Sequence, residues 1–141
     1  MDKRTLIEKL NEDLAHEYQA MLMYNTYAAM VSGIHRPILR DFFQEEVPDE
    51  LEHAQFLANK ITSLGGTPTT EPADIELARE PRAMLQQIVQ AESDTIERYG
   101  EHLDQVEEFG DRGLAAELDD IIRDETTHKE ETEKLLRDIA E

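Results

Sequence analysis

Two short stretches, DELEHAQ from residue 49 and RDETTHKE from residue 123, each place a glutamate three positions before a histidine. Residues three apart share one face of a helix, so Glu50 with His53, and Glu125 with His128, each present a carboxylate beside an imidazole. These are donors that suit divalent transition metals. A lone pair of this kind, in a chain of which 33% is charged, reads as a solvated helix face. What decides the chemistry is whether the two pairs meet.

An internal duplication says that they do. Shifting the chain by 75 positions lays Glu17 on Glu92, Tyr24 on Tyr99, Glu50 on Glu125 and His53 on His128. Within each half 33 positions separate the lone glutamate from the glutamate of the ExxH pair, and the midpoint falls at or next to a predicted turn. Residues equidistant from the turn of a helical hairpin lie level on its two helices. Each half therefore offers one layer of two carboxylates and an imidazole, and two facing layers make one site. All six residues interrupt apolar stripes: Glu17 between Leu14 and Met21, Glu50 and His53 between Phe43 and Leu57, Glu92 between Val89 and Ile96, Glu125 and His128 between Ile121 and Leu135. Four carboxylates buried together repel one another unless a cation joins them, and four Glu with two His suffice for two metal ions.

The elements that must position these residues are four helices. Apolar residues recur at steps of three and four through Leu10, Leu14, Met21, Ala28 and Val31; through Leu39, Phe43, Leu57 and Leu64; through Leu85, Val89, Ile96, Leu103 and Val106; and through Leu114, Leu118, Ile121, Leu135 and Ile139. TLIE at residues 5 to 8 suggests a capping box for the first helix, and SGIHRP at 32 to 37 combines a glycine stop with a proline start. FGDRG at 109 to 113 forms a second short turn. Between them lies a proline-rich connection over residues 65 to 81, too long for a tight turn. A helix of about 28 residues spans roughly 42 Å, and about 16 extended residues reach that far. The expected fold is all-α: a four-helix bundle of two hairpins joined by a long crossover, one domain over residues 1–141. Pro48 lies inside the second helix, where a missing hydrogen bond costs about 3 kcal/mol and is expected to kink the helix just before Glu50.

Composition excludes several classes. A formal net charge of -19 disfavours nucleic acid and anionic membranes as partners. The absence of cysteine rules out disulfides, thiolate metal sites and iron–sulfur ligation by this chain. No apolar run approaches the roughly 20 residues of a membrane helix, and MDKRTLIEKL lacks the core of a signal peptide, so a cytoplasmic location is expected.

Glu17, ELEH from Glu50 to His53, Glu92, and ETTH from Glu125 to His128 resemble the ferritin-like superfamily, and within it the bacterioferritin type of di-iron site, across essentially the whole chain. One glutamate from each of two helices and an ExxH from each of the others is an established dimetal arrangement, to which the pattern is matched. The resemblance implies Glu17 and Glu92 as terminal ligands, Glu50 and Glu125 as bridges, and His53 and His128 on one iron each. Tyr24, seven positions after Glu17, matches a tyrosine that often lies beside such centres, whereas Tyr99 reads as an ordinary core residue. Glu46, one turn before Glu50, is a candidate extra ligand. The implied activity is a ferroxidase that oxidises Fe(II) with dioxygen or hydrogen peroxide in iron storage or detoxification. Rubrerythrin-like peroxide reduction and a non-redox metal bundle are the alternatives, although Thr95 stands where a rubrerythrin carries an extra glutamate. Leu51 replaces the methionine that binds haem in bacterioferritins, which argues against haem. Thirteen residues follow His128, too few for the fifth helix of a 24-subunit cage. A homo-oligomer, at least a dimer, is expected. His16, His35 and His102 fall off the core stripes and are read as surface residues.

Overall fold

The computed structural model describes residues 1–137 and 139. Four helices follow one another: α1 (Lys3–Met30), α2 (Arg36–Ser63), α3 (Pro81–Phe109) and α4 (Arg112–Arg137). α1 packs on α2 and α3 on α4, and α1 also meets α3, so the chain forms the two expected hairpins. Each turn has a local cause. Gly33, at φ 91°, closes the first, and the Arg36 guanidinium donates to the carbonyls of Ala28, Ala29 and Val31 that the end of α1 leaves unpaired. Gly110, at φ 93°, ends α3 in the left-handed region, and Asp111 Oδ1 accepts from the Leu114 N–H at the start of α4.

The crossover runs along α1 and is tied to it. Asn11 donates to the Thr67 carbonyl and accepts from the Thr69 N–H, the Ala73 N–H donates to the Ala15 carbonyl, and Gln19 donates to the Asp74 carbonyl. Further on, the Ala78 N–H donates to the Tyr27 hydroxyl at 2.9 Å. Where the connection leaves α2 it comes so close that a Cβ on Gly66 would lie 2.6 Å from Ile7 Cγ2.

Several expectations change. The first helix is capped by Asp2, whose carboxylate accepts from the Thr5 N–H at 2.8 Å, and not by a box starting at Thr5. The buried stripe of α3 runs through Met84, Leu85, Ile88, Glu92, Thr95, Tyr99, His102 and Val106; Val89, Ile96 and Leu103 flank it half-buried. On α1, Met21 likewise yields its core position to Met23 and Tyr24. Pro48 lies inside α2 as expected, on its exposed side.

The apolar interior is in two parts. Leu6, Leu10, Leu14, Leu57, Ile61 and Leu118 belong to one, and Met23, Tyr27, Leu39, Phe43, Leu85 and Ile88 to the other. The six polar residues singled out by the sequence lie at intermediate positions along the helices between these two parts.

Candidate metal centre

Glu17 comes from α1, Glu50 and His53 from α2, Glu92 from α3, and Glu125 and His128 from α4, and all six are at most 5% exposed. Helical spacing turns each inward, and the two apolar clusters above and below exclude water. Their donor atoms form two groups within 4.8 Å: Glu17, Glu50, His53 and Glu125, and Glu50, Glu92, Glu125 and His128. Glu50 and Glu125 belong to both groups, which is the position of a bridging carboxylate. His53 Nδ1 lies 3.0 Å from Glu125 Oε1 and 3.4 Å from Glu17 Oε2; His128 Nδ1 lies 3.2 Å from Glu50 Oε1.

The polar atoms left without hydrogen bonds point to what the site could hold. Glu17 Oε2, Glu92 Oε2, both oxygens of Glu50 and of Glu125, and Nδ1 of His53 and of His128 are buried and orphaned. Buried polar atoms are otherwise almost always satisfied. Divided between the two groups, these atoms give each of two cations one terminal oxygen, one imidazole nitrogen and one oxygen from each bridge. The residues present therefore fit a metal pair.

The remaining oxygens are occupied. The Tyr99 hydroxyl donates to Glu17 Oε1 at 2.7 Å, and that of Tyr24 to Glu92 Oε1 at 3.2 Å. Tyr24 also stands edge-on to the His128 ring. Tyr99 is thus the duplicate of Tyr24 in its hydrogen bonding as well as in sequence, and not merely a core filler. Burial, with the charge of Glu92 near one and of Glu17 near the other, pushes both phenols well up, so they stay protonated donors.

Electrostatics reflect the crowding of charge. Burial and then the neighbouring Glu125 push Glu50 and Glu92 well above the usual carboxylate range. Burial also works against the charge of Glu125, but the close approach of Glu92 and of the His53 and His128 imidazoles outweighs it and brings Glu125 down to about 2. Burial would lower both imidazoles; Glu125 and Glu17 instead push His53 up to about 11, and Glu46 and Glu125 push His128 up to about 9.

Two acidic residues of the site escaped the sequence reading. Asp124 Oδ2 lies 3.0 Å from His53 Nε2, and Asp49 Oδ2 lies 3.2 Å from His128 Nε2. Each orients the ring of the opposite half and directs Nδ1 inward. They stand directly before Glu50 and Glu125 and obey the same 75-residue shift, which was the signal available. Glu46 joins Asp49 on the outer side of His128 rather than entering the main pair. The expectation for His102 is overturned: it is 4% exposed, and its Nδ1 lies 2.7 Å from Oδ2 of the buried Asp13. A histidine outside the apolar stripe can be buried when a carboxylate meets it there. His35 is exposed and His16 half-buried. Leu51 is on the outer side of α2, 41% exposed.

Fold and site together define a carboxylate-rich four-helix bundle with two layers of candidate metal ligands, one from each half of the repeat. A family model described as the ferritin-like domain matches residues 7–141, and the chain belongs to that family. Among curated proteins it is 28% identical over 127 residues to the bacterioferritin of Desulfovibrio desulfuricans, covering 89% of this chain and 71% of that one. Among solved structures, a ferritin-like diiron-carboxylate protein from Bacillus anthracis aligns with a TM-score of 0.93 and 48% identity, covering 96% of this chain and 99% of that one. The dodecameric thioferritin of Bacteroides fragilis aligns with a TM-score of 0.87 and 27% identity over 98% of this chain and 88% of that one. Among the described residues no helix is long and apolar enough to cross a membrane.

Proposed function

We propose that this chain is a ferroxidase: it takes up ferrous iron in pairs and oxidises it with dioxygen or hydrogen peroxide, in iron storage or detoxification. The observation that carries this reading is the set of buried, orphaned donor atoms, arranged in two groups that share Glu50 and Glu125. Paired ferrous ions, the substrate, supply two electrons together, enough to reduce dioxygen to the peroxide level without releasing a radical.

The protein's part is to hold and shield. Glu17 and His53 serve one ion, Glu92 and His128 the other, and Glu50 and Glu125 span both. Tyr24 and Tyr99 hold the outer oxygens of the terminal glutamates, which leaves one oxygen of each free to bind. Asp124 and Asp49 accept from the outer nitrogens of the imidazoles once Nδ1 is engaged inward. Glu46, beside His128, is placed to hand incoming cations to the pair. Leu51 offers no haem ligand, and Thr95 offers no additional carboxylate, which favours a ferroxidase over a rubrerythrin-like peroxidase. We further propose a single domain acting in the cytoplasm as a homo-oligomer. The dodecameric relative and the exposed Leu22 and Leu51 on neighbouring helices support self-association.

The test is oxidation of ferrous iron added to anaerobic, metal-free protein at increasing ratios, with Glu50→Ala as control. Fast oxidation saturating near two irons per chain and lost in the variant is expected. Equal rates in both proteins would overturn the redox reading and leave a non-redox metal bundle.

A further inference from the structure

The duplication that builds the centre does not extend to every residue around it: Glu46 beside His128 is matched by Ile121, and a larger difference lies behind Glu17. On the Glu17 side, the buried carboxylate of Asp13 sits one helical turn before Glu17 on α1 and meets two partners from α3, a guanidinium and an imidazole. Arg98 Nε lies 3.1 Å from Asp13 Oδ1, and His102 Nδ1 lies 2.7 Å from Asp13 Oδ2. Arg98 Nη2 also donates to Thr95 Oγ1 at 3.3 Å. Shifted by 75 positions, these places hold Ile88 for Asp13, Ala20 for Thr95, Met23 for Arg98 and Tyr27 for His102. The Glu92 side is therefore backed by apolar packing, and the Tyr27 hydroxyl turns away to Gln87 and the Ala78 N–H.

Tyr99 connects this cluster to the centre. It lies between Arg98 and His102 in sequence, is wholly buried, and has the Arg98 guanidinium carbon 6.0 Å from its ring centroid. The bonds of Asp13 to Arg98 and His102 tie α3 to α1 at this level, since a buried carboxyl group is tolerated only when paired. Held beside these bonds, the Tyr99 hydroxyl donates to Glu17 Oε1. The corresponding bond on the other side, from Tyr24 to Glu92, is longer, 3.2 Å against 2.7 Å.

We propose that Asp13, Arg98 and His102 are positioning residues for one metal position only, that of Glu17 and His53, and that they act on it through Tyr99. This rests on the metal-pair reading above and makes the two positions unequal. Orientation of a ligand by its outer partners is worth about 10–100-fold in metal affinity, so the effect is measurable without turnover.

The experiment titrates Co(II), followed by visible absorption and calorimetry, into the metal-free full chain. Two binding steps are expected in the parent protein. Asp13→Ala, one bond further from the ligand than Tyr99, is expected to weaken one step by up to about tenfold, the lower end of the effect of a direct ligand partner, and to leave the other unchanged. Tyr99→Phe should weaken the same step, the double variant should be no worse than Tyr99→Phe alone, and Tyr24→Phe should weaken the other step. Circular dichroism checks folding; should Asp13→Ala not fold, Asp13→Asn, which keeps an acceptor oxygen, carries the same comparison with a smaller loss. Unchanged steps, both steps weakened alike, or full additivity with Tyr99→Phe would overturn the inference. A parent protein that binds no Co(II) would overturn the metal-pair reading itself, and the inference with it.

Discussion

His53 and His128 carry protons that a bound metal has to displace. With the imidazoles pushed up to about 11 and about 9, both are cationic at neutral pH in the metal-free protein, and Glu50 and Glu92 are pushed toward their protonated forms. Loading with Zn(II), which has no redox chemistry, is therefore expected to release protons and to tighten as pH rises; titrations in buffers of different ionisation enthalpy check this, and uptake without proton release would contradict it. The same shifts set a stability profile. An imidazole raised from 6.5 stabilises the folded, metal-free chain fully below 6.5 and loses that contribution as pH passes about 9 for His128 and about 11 for His53. Glu50 and Glu92, also raised, act in the same direction. Melting of the metal-free protein should thus fall between pH 6.5 and 11, and should fall less with Zn(II) bound. Asp49 and Asp124 belong to this scale too. Asp124→Ala and Asp49→Ala should each cost about 10–100-fold in affinity, because an imidazole loses the partner that orients it. That the six candidate ligands would be buried together was legible because a polar residue that interrupts an apolar stripe is costly to bury without a partner, and these do so twice at the same spacing. The two aspartates were not, because each is about half exposed and its type and position equally suit an ordinary helix surface.

At the scale of elements, glycine, proline and periodicity made four helices, two short turns and a long crossover readable. Gly33 and Gly110 do adopt the left-handed conformation that their stop signals implied, and Pro37 and Pro81 stand in the first turns of α2 and α3. The stripe of α3 was less readable because Thr95 and His102 occupy core positions, and polar residues leave no mark in an apolar count. Only a partner on another helix, Asp13, accounts for His102 being inside. The cap of α1 was misplaced because Asp2 and Thr5 are both good capping residues, and which carboxylate or hydroxyl reaches an N–H is a matter of geometry. Gly66 shows how the crossover depends on a close approach that the sequence could not reveal. A methyl group there would meet Ile7 Cγ2 at 2.6 Å and Ile61 Cγ2 at 3.1 Å, both on stiff β-branched side chains. Gly66→Ala is expected to destabilise the chain by about 1–3 kcal/mol, as overpacking does, with part of the loss recovered in Gly66→Ala/Ile7→Ala. Urea unfolding measures both, and an unchanged midpoint would show that the crossover moves aside freely.

For the whole molecule, the centre joins all four helices, since α1 and α2 supply one layer and α3 and α4 the other. Without a cation, the middle of the bundle holds four carboxylates and two imidazoles whose inward atoms lack hydrogen bonds, so the folded state has more to gain from metal than an unfolded chain, which presents no assembled site. A metal that binds only the folded form stabilises it by about 2.7 kcal/mol for each site at a hundredfold excess over Kd. For a chain of this size, two sites should raise Tm by roughly 10–20 °C. Calorimetric melting with Zn(II) checks this, provided the net charge of -19 is kept from contributing its own nonspecific cation effect. Mg(II) at equal ionic strength screens that charge but suits buried imidazole donors poorly, and is expected to leave Tm nearly unchanged. Glu50→Ala removes a donor shared by both groups and should abolish most of the Zn(II) gain, whereas His53→Ala touches one group and should retain part of it. A comparable rise with Mg(II), or one undiminished in Glu50→Ala, would place the stabilising cations on the acidic surface instead of between the helices.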